Sequence, residues 1–114
     1  MRYDLAYRND IVYVRVHDEI NLTTDITPLY DIIREQIGRR ETKFAVSFPD
    51  SSFFYSQHLA VLLKCLERVR EAQGSLTVLR PSGELSDALL YIDPGHFVRR
   101  VHDTAELTAS LAMA

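Results

Sequence analysis

The chain has 114 residues, of which 46% are hydrophobic and 25% charged, and a formal net charge of −3. This balance belongs to a globular protein, and it lacks the basic excess or basic stripe of a nucleic-acid binder. Every apolar run is far shorter than the ~20 residues that cross a bilayer, and no basic segment with an apolar core precedes Tyr3, so neither membrane insertion nor a secretory signal is expected.

A single domain over residues 1–114 is expected, because no repeat, low-complexity tract or linker divides the chain. Residues 3–8 and 11–17 alternate and are rich in Tyr and Val, with Val12, Val14 and Val16 on one face. Asn9-Asp10 between them suits a tight turn, so the two form an antiparallel hairpin. Ile26, Leu29, Ile33 and Ile37 then recur at helical steps. Thr23, Thr24 and Thr27 are candidate N-caps, Pro28 fits only the first turn, and Gly38 is placed to close the helix in the left-handed conformation.

Lys43 to Phe48 reads as a short buried strand stopped by Pro49. A second helix over 56–73 carries Leu59, Leu62, Leu63, Leu66 and Val69 inward, and Gly74 stops it. Leu76 to Leu79 is a strand. Ser82 caps a third helix with Leu85, Ala88, Leu89 and Ile92, which Asp93-Pro94-Gly95 ends. Phe97 to Val101 is a last strand, and Asp103 or Thr104 caps a fourth helix with Leu107 and Leu111. The order β-β-α-β-α-β-α-β-α predicts an α/β fold with a mostly parallel sheet of four to five strands and about four helices. Partners of such sheets meet the loops beyond the strands' carboxyl ends, here those after Val16, Phe48 and Leu79.

Few motifs carry chemistry. His17, His58, His96 and His102 lack metal-ligand spacing, and no cysteine pair is present, so no metal and no cofactor is expected. The lone Cys65 reads as a core residue and implies a reducing, cytoplasmic setting. His17-Asp18 and His102-Asp103 have the form of oriented bases but read as polar strand ends. No phosphate-cradling glycine loop and no nucleophile elbow occurs. Ser56 and His58, two apart on a helix, point about 200° apart and do not face each other. What remains is the segment Pro49 to His58, with three serines and a tyrosine before a helix whose N-terminus favours anions.

With these elements the chain resembles the STAS family, the anti-sigma factor antagonists and their relatives. Ser56-Gln57-His58-Leu59-Ala60-Val61-Leu62-Leu63 matches the family's helix start, and Phe53-Phe54 the apolar pair before it. Glu71 to Val78 resembles its helix-Gly-strand junction, and Phe97 to Thr104 its final strand and cap. The family's phosphorylatable serine falls on Ser56, whereas Asp50-Ser51-Ser52 would break the leucine register. The motif is degenerate: Tyr55 stands where the family has Asp, Gln57 where it has Ser or Thr, and His58 where it has Gly.

The resemblance implies a regulatory protein-binding module, not an enzyme. Its partner would be an anti-sigma factor or serine kinase-type protein, binding at Phe53, Phe54, Tyr55, Ser56, Gln57 and His58. Substituting Tyr55 or His58 is expected to weaken that binding and spare the fold. The other readings are an accessory subunit on the ATPase of a membrane lipid ABC transporter, and a small hydrolase using Tyr55, Ser56 and His58.

Overall fold

A computed structural model describes residues 1–102. The hairpin is β1 (Tyr3–Arg8) and β2 (Ile11–Val16), paired in register from Tyr3–Val16 to Arg8–Ile11. Asn9 and Asp10 at the turn have φ of 52° and 65°. Positive φ at both central residues makes the turn twist with its strands.

Three β-α-β crossovers follow: α1 (Thr27–Gly38), β3 (Lys43–Ser47), α2 (Ser56–Glu71), β4 (Ser75–Leu79), α3 (Gly83–Ile92) and β5 (Arg99–Val101). The sheet order is β1-β2-β3-β4-β5, parallel from β2 onward. Strand order thus advances in one direction, and crossovers of one hand put the three described helices on one face. The core confirms it: Val12, Val14, Phe44, Val46, Leu76 and Val78 of the sheet pack with Leu29 and Ile33 of α1, Leu62 and Leu66 of α2, and Leu85 and Leu89 of α3. The fourth helix expected near Leu107 lies outside the described residues.

Several ends differ from expectation for local reasons. α1 is capped by none of Thr23, Thr24 or Thr27; its N-cap is Ile26, and the Asp25 carboxylate accepts from the Thr27 N–H at 2.9 Å. Gly38 is not left-handed. Arg40 is, at φ 70°, while Arg40 N–H and Glu41 N–H donate to Ile37 and Gln36 carbonyls. That pair of bonds needs the left-handed residue two places past the last helical one. α2 ends the same way, with Gln73 at φ 59° and Gly74 N–H donating to Val69.

Gly74 therefore owes nothing to a left-handed backbone. A Cβ built on it would lie 2.0 Å from the Thr42 carbonyl oxygen. The Ser75 N–H donates to that same oxygen at 2.9 Å. The junctions feeding β3 and β4 thus touch backbone to backbone.

β5 is shorter than the 97–101 strand anticipated. Asp93, fully buried, takes the Phe97 N–H on Oδ1 at 2.9 Å and the Val98 N–H on Oδ2 at 2.8 Å. With their N–H groups taken by Asp93, those residues do not join the ladder with β4, which begins at Arg99. Ser82 caps α3 as expected, accepting from Leu85 N–H at 3.1 Å.

Cys65 sits in the core at 1% exposure, and burial pushes its thiol up to about 12. A thiol reagent at mildly alkaline pH should leave the native protein unlabelled and label it fully in denaturant. Rapid stoichiometric labelling of the folded protein would contradict this packing.

Candidate functional site

The loops that follow β2, β3 and β4 gather at one end of the sheet. The β3–α2 loop is strapped to the β2–α1 loop through Ile20. Ser52, buried, accepts the Ile20 N–H on Oγ at 3.0 Å, and the Phe53 N–H donates to the Ile20 carbonyl at 2.8 Å. The Ser52 N–H closes a turn onto Pro49 at 3.1 Å. On the other side, the Phe54 N–H donates to Glu84 Oε1 of α3 at 3.3 Å.

From Ser52 to Tyr55 the chain alternates inside and outside. Exposures run 4%, 49%, 5% and 37%. This is the period of an extended segment, and Tyr55 keeps extended angles, φ −89° and ψ 173°, as it enters α2. Phe54 packs edge-on against Phe48, with ring centroids 5.0 Å apart. Phe53 and Tyr55 lie together on the outside, centroids 4.7 Å apart. Of the aromatic run, Phe54 is therefore a core residue and cannot touch a partner directly.

His58 is likewise internal, at 1% exposure. Its Nδ1 accepts the Tyr55 N–H at 2.9 Å, and its Nε2 meets the Thr24 carbonyl at 2.8 Å. The two bonds require a neutral ring with the proton on Nε2. His58 fills the third helical position, where Glu or Gln usually reaches back to the N-cap amide. It also ties the helix start to the neighbouring loop. The expectation that it faces a partner and can be replaced without harm to the fold fails, because the ring is buried and both nitrogens serve backbone groups of the loop and the cap.

Ser56 and Gln57 remain outside. Gln57 Nε2 donates to the Leu22 carbonyl at 2.7 Å, which brings exposed Leu22 beside the helix start. Among the described residues the Ser56 hydroxyl has no hydrogen-bond partner. Ser56 is thus an unengaged hydroxyl on the first helical residue, with Leu22, Phe53 and Tyr55 as exposed apolar neighbours. Residue patterning missed Leu22; an apolar residue within the polar run Asn21 to Thr24 was the available sign.

The electrostatics favour an anion at this point. The first turn of α2 holds no acidic residue of its own, so no side chain within it offsets the positive dipole end. Asp25 lines a cleft of roughly 250 Å³ together with Leu22, Thr24, Gln57, His58 and Val61. Hydrogen bonds from Thr27 hold its carboxyl below the usual carboxylate range.

Hydrolytic chemistry finds little support here. A base for Ser56 would need a free ring nitrogen, and His58 has none. His17 does not pair with Asp18: its Nε2 bonds Asp4 Oδ2 across the hairpin at 2.8 Å, and Asp18 pairs with Arg2 at 2.9 Å. The Arg2 guanidinium and amide hold the Asp18 carboxyl low. Asp103 lies outside the described residues. No group of three potential metal ligands occurs among the described residues, and none of their helices is long and apolar enough to cross a membrane.

No protein-family model matches the chain, and no curated protein does. Solved structures do. A Thermotoga maritima protein assigned as a candidate anti-sigma factor antagonist superposes with a TM-score of 0.78 over 95% of this chain and 92% of its own, at 14% identity. The Bacillus cell fate determinant SpoIIAA in its phosphorylated form superposes at 0.73 over 96% and 99%, at 15% identity. SpoIIAA without phosphate, an anti-sigma factor antagonist, superposes at 0.61 over 99% of each chain, at 13% identity. The chain therefore has the STAS fold of the anti-sigma factor antagonists, with the antiparallel hairpin and parallel sheet expected from its residues.

Proposed function

We propose that the chain is a regulatory binding module without turnover of its own. Its partner, an anti-sigma factor or serine kinase-type protein in the cytoplasm, docks on the exposed face around Ser56. One observation carries the reading: a hydroxyl unengaged among the described residues, at a helix N-terminus with no acidic residue in its first turn, collared by exposed Leu22, Phe53 and Tyr55. Exposed aromatics around a small polar centre are the usual anchors of a protein interface. The likeness to a protein solved with and without phosphate lends support to a switch at this position.

Phosphorylation of Ser56 releases the partner and spares the fold. The phosphate adds about −1.5 to −2 charges, which its own helix end favours by roughly 0.3–1 kcal/mol. A partner packed on the same spot has to strip that charge of water, a far larger penalty.

The test starts with the partner recovered by affinity capture from the native cell. Phe53→Ala and Tyr55→Ala should each weaken it by roughly tenfold or more. Ser56→Asp should weaken it further, all three with native thermal melts. The Ser56 peptide should carry phosphate under some growth condition. Full affinity in all three variants would move the interface elsewhere. Undiminished binding by Ser56→Asp, with no phosphate found, would leave a module without a switch.

A further inference from the structure

The outer edge of the sheet is β1, six residues long, with no proline and an unbroken register against β2. The His17 N–H donates to the Arg2 carbonyl at 2.9 Å, so Arg2 turns its backbone groups toward β2. By the two-residue period of a strand, Asp4, Ala6 and Arg8 do the same. Tyr3, Leu5 and Tyr7 therefore point their N–H and C=O groups outward, and among the described residues no strand pairs with that side. Tyr3 and Tyr7 are 40% and 55% exposed. Such an edge is a template for another strand.

The side chains choose the strand. Asp4, Ala6 and Arg8 lie opposite Arg15, Tyr13 and Ile11, on the sheet face away from the helices. Among the described residues Arg8 has no ion pair, and Asp4 has only His17. An antiparallel copy of β1 can engage two or more pairs of its outward residues in three registers. Leu5 opposite Leu5 sets Arg8 against Arg2 of the other copy. Tyr3 opposite Leu5 sets Asp4 against Asp4. Leu5 opposite Tyr7 sets Asp4 against Arg8 twice, puts Ala6 on the two-fold axis, and covers each exposed Tyr7 with a Leu5. Opposite charges directly across a strand pair attract and like charges repel, so of these three only the third is self-complementary.

We propose that β1 is a homodimer edge, on which a second copy pairs antiparallel with Asp4 opposite Arg8 and Leu5 opposite Tyr7. The two sheets become one continuous sheet. A two-fold axis through Ala6 reverses strand direction, so the two Ser56 faces lie at opposite ends, both open. The dimer presents two docking faces at once.

Sedimentation equilibrium of the full chain, from micromolar to millimolar, tests this. The wild type should dimerise. Asp4→Arg and Arg8→Asp should each raise the dissociation constant by roughly tenfold or more, since each turns both cross-strand pairs repulsive. Mixing these two variants should restore association, because every pair in the mixed dimer is again opposite in charge, and the doubly swapped chain should regain wild-type strength. Tyr7→Pro, which removes an outward N–H and the Tyr7 ring but no bond to β2, should leave a folded monomer and serves if a charge variant does not fold. A wild type that stays monomeric throughout, or one whose association ignores the single swaps and Tyr7→Pro, overturns the proposal.

Discussion

Gly74→Ala should lower the melting temperature on the order of 10 °C, from a loss of roughly 2–3 kcal/mol. The methyl would stand 2.0 Å from the Thr42 carbonyl oxygen, and both atoms belong to backbone or are fixed to it. No rotamer change relieves the overlap. The α2–β4 junction has to move away from the strand start at Thr42, which breaks the 2.9 Å bond from Ser75 N–H. That bond begins the β3–β4 ladder at Lys43–Ser75. Gly38 gives the internal control: nothing lies within 4 Å of a Cβ there, its φ is not positive, and Gly38→Ala in a helix should be neutral or stabilising. Thermal melts of the two variants decide it. Equal melting temperatures for Gly74→Ala and the wild type would mean that the junction has slack.

His58→Ala should be the most damaging change at the candidate site, at roughly 3–5 kcal/mol. It opens a cavity beside Phe54 and strands two part-buried backbone groups, the Tyr55 N–H and the Thr24 carbonyl. His58→Gln should cost less, because its amide can still accept from the N-cap as Gln does in a capping box. His58→Glu should fall nearer to Ala, since a carboxylate has no proton to offer Thr24 and is buried beside its carbonyl. Denaturant melts supply the ranking, and amide exchange at Tyr55 reports on the cap itself. A His58→Ala protein as stable as the wild type, with Tyr55 still protected, would show that the ring only fills space.

These two positions mark what residue patterning could and could not see. The order of elements was legible because period two and period 3.6 are local. Val12, Val14 and Val16 did fall on the buried face, and Leu62, Leu66 and Val69 on the inner side of α2. Ser56 at a helix start and Cys65 in the core were equally legible.

The site was read less well, because its bonds span the fold. His58 meets Thr24 and Ser52 meets Ile20 across more than thirty residues, and no local rule pairs them. Phe54 was indistinguishable from Phe53 in composition; alternation of an extended segment outside any sheet separates them. Gly38 and Gly74 both followed helices, yet neither is left-handed. Arg40 and Gln73 carry that conformation, so helix ends were found and their geometry was misassigned.

The fastening of the β2–α1 loop has a further consequence for how such a domain can drift. The β3–α2 loop and the start of α2 hold it through Ile20 N–H, Ile20 carbonyl, Leu22 carbonyl and Thr24 carbonyl. All four are main-chain groups. At Leu22 the side chain is exposed and takes no part in the grip. Its identity can change while the loop stays in place, provided Ser52, Gln57 and His58 persist. The vocabulary that a partner reads is thereby separable from the grammar that keeps it legible, so two such domains can share one shape and address different partners.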